Sequence, residues 1–94
     1  MGFTWDPAKN ERNIRRRGLS FEHAAPMWNG PMLVWTDTRK DYGEIRLIAI
    51  APLGARLHVV VHVERGGERR IISARRANSR EVAFYERETR SSDR

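Results

Sequence analysis

The 94-residue chain contains no cysteine, which excludes disulfide cross-links, thiolate nucleophiles and cysteine-ligated zinc together. It has only three histidines, His23, His58 and His62. The last two stand four apart in His58-Val-Val-Val-His62-Val-Glu64-Arg65, a β-branched run that reads as a strand, where this spacing puts the rings on one face about 13 Å apart. Histidine pairs at that spacing bind metal on helices, so neither a metal site nor a cofactor is expected. No apolar run approaches the roughly 20 residues of a membrane-spanning helix. The opening Met-Gly-Phe-Thr-Trp-Asp shows no basic stretch followed by an apolar one, so a signal peptide is not expected and a cytoplasmic location is. Acidic residues are scarce relative to basic ones, 12 Asp and Glu against 18 Lys and Arg, for a formal charge of +6. Such a field draws polyanions, nucleic acid foremost.

The chain has no internal repeat, no low-complexity tract and no glycine-rich phosphate loop. At this length it is expected to form one domain over residues 1–90, with 91–94 as a frayed tail, burying about 60–65% of its unfolded surface. Phe3-Thr4-Trp5 reads as a short strand, ended by Asp6-Pro7, where Asp caps a helix and Pro fits its first turn. That helix is expected to run to about Arg17, with Ala8 and Ile14 as a narrow inward stripe, and to close at Gly18. Ser20 caps a second helix from Phe21, which Pro26 should kink or stop. Strands are expected at Met32–Trp35, Glu44–Ala51, Arg56–Arg65 and Glu68–Arg76, the last two joined through Gly66-Gly67, a tight-turn pair. Asn78 and Glu81 form a capping box for a final helix carrying Val82, Phe84 and Tyr85. The alternation of the last strand predicts Arg69, Ser73 and Arg75 on one side and Arg70, Ile72, Ala74 and Arg76 on the other. A cationic face on a small sheet suits RNA.

The series Trp5-Asp6-Pro7, Lys9-Asn10, Asn13, Gly18-Leu-Ser-Phe-Glu22 with Ala24-Ala25, Gly43-Glu44-x-Arg46, His62-x-Glu64-Arg65 and Ile71-Ile-Ser-Ala-Arg75 with Ala77, Glu81 and Tyr85 resembles the BrnT toxins over nearly the whole chain. The resemblance implies an α+β, RelE-like ribonuclease fold: an antiparallel sheet of about four to five strands flanked by two N-terminal helices and one C-terminal helix. It also implies a type II toxin–antitoxin system, with an endoribonuclease that needs no metal, arrests growth and is neutralised by a ribbon-helix-helix, DNA-binding antitoxin in a heterotetramer. In this sequence Pro26 falls where the family's second helix usually continues, and Val63 stands where a threonine is common.

RNA cleavage requires an activated 2′-hydroxyl, a stabilised pentavalent phosphate and a protonated leaving oxygen. Strand-borne guanidinium groups meet the second requirement, gripping the phosphate harder as negative charge builds. Arg46 and Arg75 are the candidates for that role. His62 is the candidate base or acid, and Tyr85 is placed to stack on a base or to position a phosphate. Arg65, Arg69 and Arg76 are candidate RNA contacts, with Glu64, Ser73 and Glu81 in support. Each has a plainer reading: Arg46 paired with Glu44 or Glu64, His62 as a half-buried strand histidine bonded to backbone, Tyr85 and the three tryptophans as core. A non-catalytic RNA-binding protein, or a regulator that only binds its antitoxin, fits the same charge pattern.

Overall fold

The computed structural model describes residues 2–91. Five strands form one sheet: β1 (Gly2–Trp5), β2 (Leu33–Thr36), β3 (Leu47–Leu53), β4 (Arg56–Arg65) and β5 (Glu68–Arg76), in the order β1-β5-β4-β3-β2. The sheet is mixed, because β1 pairs parallel with β5 while every other pair is antiparallel. Helix α1 (Pro7–Arg17), helix α2 (Phe21–Ala24) and the 3₁₀ turn Ala25–Asn29 cover one face; α3 (Ser79–Ser91) covers the other. Ser91 is the end of α3, and residues 92–94, the rest of the tail for which fraying is expected, lie outside the described part. Among the described residues no helix is long and apolar enough to cross a membrane.

Local chemistry sets the boundaries. The Asp6 carboxylate accepts from the Ala8 amide at the start of α1, and Gly18 closes that helix in the left-handed region at φ 67°. Ser20 accepts from the His23 amide, and Pro26 makes the chain after Ala24 a 3₁₀ turn. Pro26 lacks the N–H that an α-helix would use there. The inward residue of α1 is not the apolar stripe expected from sequence. Ile14 is 38% exposed and Ala8 also faces solvent, while Asn13 is buried. Its carboxamide donates to the Leu19 and Ala74 carbonyls and accepts from the Ala74 amide, so a polar side chain docks the helix by acting as a strand partner.

β3 begins three residues later than expected and runs through Pro52. Its partner β2 pairs only between Ile50 and Leu47, so Glu44 and Ile45 leave the ladder, whose last rung is the Asp37 amide bonded to the Arg46 carbonyl. Beyond Ile50 the β2 side of β3 has no strand partner among the described residues, and a proline costs no ladder bond there.

The largest departure is in β5. Ser73 pairs with Val61, but His62 pairs with Ile71, so Ile72 is an extra residue in a bulge. Simple alternation therefore fails across it. Ile71 and Ala74, three apart, are both in the core beneath α1 and α2 with Phe21, Met27 and Val60. Ile50, Val59 and Tyr85 form the smaller core beneath α3. The bulge separates Arg69 from Arg75, which simple alternation puts on one side.

Candidate functional site

On the α3 face, Arg75 stands at the end of β5, where the chain enters the helix. Asn78 and Glu81 form the capping box at the start of α3: the Asn78 side chain accepts from the Glu81 amide at 2.9 Å, and Glu81 Oε1 accepts from the Asn78 amide at 2.9 Å. The same carboxylate takes the Arg75 guanidinium in a bidentate pair, Nη1 to Oε1 and Nη2 to Oε2, both 2.8 Å. This pairing raises the Arg75 pKa and lowers that of Glu81, so both stay ionised. Arg75 Nη1 also donates to the Arg76 carbonyl, leaving its Nε–H and a second Nη2–H directed elsewhere.

The loop between β2 and β3 extends this face. Asp37 is buried and fixes the loop: Arg39 Nε and Nη2 donate to its two oxygens at 2.8 Å, and the Tyr42 hydroxyl donates at 3.2 Å. These bonds, the Arg39 side chain first, hold the Asp37 carboxyl well below the usual carboxylate range. The Arg39 side chain is 71% exposed, and its charge reaches Arg75, where it opposes protonation. The Arg46 guanidinium lies 3.9 Å from the centre of the Tyr42 ring, and its Nε–H is buried without an acceptor among the described residues. Continuing the alternation of β3 by one residue puts Arg46 on the side of Ile48 and Ile50, the side that α3 covers. By that alternation Arg46 and Arg75 project to the same side of the sheet.

The other sequence candidates are elsewhere. His62 is buried on the opposite face, its ring edge-on to Trp28 at 5.1 Å, with Nε2 3.6 Å from Glu64 and Nδ1 without a partner among the described residues. Burial lowers its pKa, only partly opposed by Glu64, so the neutral imidazole is favoured. Arg69 lies over Trp28 and Phe3 on that side, its Nε 3.8 Å from Glu64. Arg76 is an exception and is not remote from Arg75: the two line one cavity, together with Arg17, His23 and His58. Arg65, largely exposed, is paired with Glu44, one of the two partners expected for Arg46. The Tyr85 hydroxyl donates to the Pro31 carbonyl at 2.7 Å, and burial raises its pKa, which assigns it to the core contact between α3 and the turn before β2. Ser73 is at the bulge. Among the described residues no three His, Asp or Glu side chains gather to hold a metal ion.

A family model described as the ribonuclease toxin BrnT of type II toxin–antitoxin systems matches residues 5–81. The chain belongs to the BrnT family. The match runs from the strand before α1 to Glu81, and so takes in both arginine-bearing strand ends and the capping box. The crystal structure of the Brucella abortus ribonuclease toxin BrnT is similar to this chain at 26% identity and a TM-score of 0.64, covering 84% of this chain and 99% of that one. That similarity extends the BrnT assignment to the α+β fold. No curated protein sequence matches.

Read from sequence as a polar loop, residues 37–43 carry one signal, for Asp37, and none for Arg39 or Tyr42. Trp35 and Asp37 are two apart at the end of a strand, so a carboxylate is due on the side where the tryptophan packs.

Proposed function

We propose that this chain is an endoribonuclease whose scissile phosphate sits on the α3 face, gripped by Arg39, Arg46 and Arg75. What carries this reading is the strand register, which sets Arg75 beside Val59 on the α3 face and, by continued alternation, Arg46 on the same side, next to the braced loop that bears Arg39; the Arg46 Nε–H is buried without an acceptor among the described residues. In the reaction the 2′-oxygen bonds to phosphorus, the bond from phosphorus to the 5′-oxygen breaks, and a 2′,3′-cyclic phosphate and a 5′-hydroxyl result. The extra negative charge falls on the non-bridging oxygens, where guanidinium groups held in advance bind the transition state better than the substrate. Glu81 and Tyr42 set the aim of Arg75 and Arg46 and take no proton. Asp37, held ionised by Arg39, is a poor base. His62 is behind the sheet, so the 2′-proton leaves to solvent and the 5′-oxygen takes one from water.

Three cations on one face also supply the charge that a divalent ion brings in other nucleases, so activity should persist in EDTA. Purified chain incubated with RNA and analysed by end mapping is the test. Arg46→Ala, Arg75→Ala and Arg39→Ala are each expected to lower the cleavage rate by about 10²-fold or more with the circular dichroism spectrum retained. Equal rates in all three variants would remove the phosphate from this face. RNA bound but never cut would favour the non-catalytic alternative.

The type II family supplies an antitoxin as partner and RNA as substrate. The finer reading is of a cytoplasmic toxin that arrests growth until a ribbon-helix-helix antitoxin binds it, two copies of each in the complex. Expression with and without the neighbouring small reading frame, followed by sizing of the co-purified complex, tests each element.

A further inference from the structure

A second group of cations lies along helix α1, and one of them, Arg17, lines a cavity with Arg75. β1 pairs with β5 only as far as Ile71, so the outer edge of β5 is open from Ile72 onward. Helix α1 crosses that opening, with Asn13 taking the place of a strand at Ala74. Beside Asn13 an open groove of about 280 Å³ runs between the helix and the edge. Its helical wall is Lys9, Arg12, Arg16 and Arg17; its strand wall is Ile72 and Ser73. Lys9, Arg12 and Arg16 recur at intervals of three and four, which puts them in one row along the helix. Among the described residues no carboxylate lines the groove, and none of the ion pairs involves these four side chains.

We infer that this groove holds the phosphate backbone of the RNA strand next to the phosphate bound at Arg75. The inference rests on the ribonuclease reading above and names where the rest of the substrate lies. Protein partners dock on buried apolar and aromatic anchors, and among the described residues the only apolar side chain lining this groove is Ile72. Nucleic-acid surfaces are more polar and far more positive, which is what the lining offers. Continuity favours the same occupant. Ser73 and Arg75 pair with Val61 and Val59 and are two apart beyond the bulge, so they share a side of the sheet. A strand gripped at Arg75 therefore passes Ser73 and the open edge before reaching the row on α1. With no aromatic or amide side chain other than the engaged Asn13 in its described lining, the groove contacts phosphates without reading bases.

Binding is measured with fluorescently labelled single-stranded RNA carrying 2′-O-methyl sugars, which leave no 2′-hydroxyl to attack, as a trinucleotide and as a longer strand. The variants are Lys9→Gln/Arg12→Gln/Arg16→Gln, the single Arg12→Gln, and the charge-keeping Arg12→Lys/Arg16→Lys. The triple variant is expected to bind the longer strand at least tenfold more weakly at low salt. Its slope of log affinity against log salt should be shallower by about 2, since each single-strand phosphate that is no longer neutralised reduces it by about 0.7. The trinucleotide should be held as before, and the lysine variant should match the parent. If the triple variant does not fold, the single variant decides, with a slope shallower by about 0.7. Unchanged affinity and slope for the longer strand overturn the inference, as does a triple variant that keeps RNA and loses a glutamate-rich peptide instead. Cleavage of unmodified RNA is scored separately. A parent that binds but never cuts defeats the ribonuclease reading alone, and a parent that cuts while the triple variant binds normally defeats the groove alone.

Discussion

Asn13 and His62 are two buried polar side chains with opposite accounts. Asn13 satisfies three backbone groups, two carbonyls and an amide, and so joins α1 to the sheet edge. Asn13→Ala leaves those groups buried and unpaired, and is expected to cost about 2–3 kcal/mol in urea denaturation. A loss below roughly 0.5 kcal/mol, the size of a neutral surface change, would mean that water replaces the amide without penalty. His62 is not satisfied: its Nδ1 has no partner among the described residues, and burial depresses its pKa below 6.5. A base that resists protonation only when folded makes the unfolded state the better proton acceptor. Stability should therefore decline as pH falls below 6.5, above the window where Glu81, depressed from 4.5, begins to lose its partner. Urea midpoints measured from pH 8 to 5 should show the decline in the parent and lack it in His62→Gln. The cleavage rate of that variant should match the parent at pH 8. The histidine is visible in the sequence as a titratable group beside arginines; that it faces away from Arg75 is not, because that depends on the cross-strand register pairing Arg75 with Val59.

At the scale of elements, the start of α3 joins folding to the proposed site through one carboxylate. Glu81 closes the capping box and holds Arg75, so its loss acts twice. Asn78→Ala removes one cap and should cost about 1 kcal/mol. Glu81→Ala should cost more, about 1–2 kcal/mol, by adding a half-exposed ion pair to the lost cap. It should also slow cleavage, which Asn78→Ala should not. Thermal melts of the two variants with rate measurements decide whether Arg75 is aimed by Glu81 or only neutralised by it. The capping box, the Gly66-Gly67 hairpin and the Pro26 break are all legible locally, because each depends on residues within a few positions of one another. The parallel pairing of β1 with β5 and the bulge at Ile72 are not, since the former joins residues more than sixty apart and the latter is a matter of cross-strand register.

For the whole molecule, one small sheet divides two cores and two sets of cations. A domain of this size is marginal by itself, and anything that binds only the folded form stabilises it. An antitoxin present at a hundred times its dissociation constant contributes about 2.7 kcal/mol. For a chain of 94 residues this corresponds to a rise in melting temperature of roughly 10 °C or more. Differential scanning calorimetry of the chain with and without its co-expressed partner checks this, and a rise of under about 3 °C would indicate a contact too weak to neutralise a toxin.

The sequence by itself determined the order of elements, the caps, the central hairpin, the excess of positive charge and the resemblance to the BrnT toxins, all properties of neighbouring residues or of their sum. Only the tertiary structure decided which arginines share a face. Side-chain direction in a strand has a period of two, and a single inserted residue at Ile72 reverses it for everything beyond. That reversal separates Arg69 from Arg75, while the register that pairs Arg75 with Val59 leaves His62, three residues along β4, on the other side.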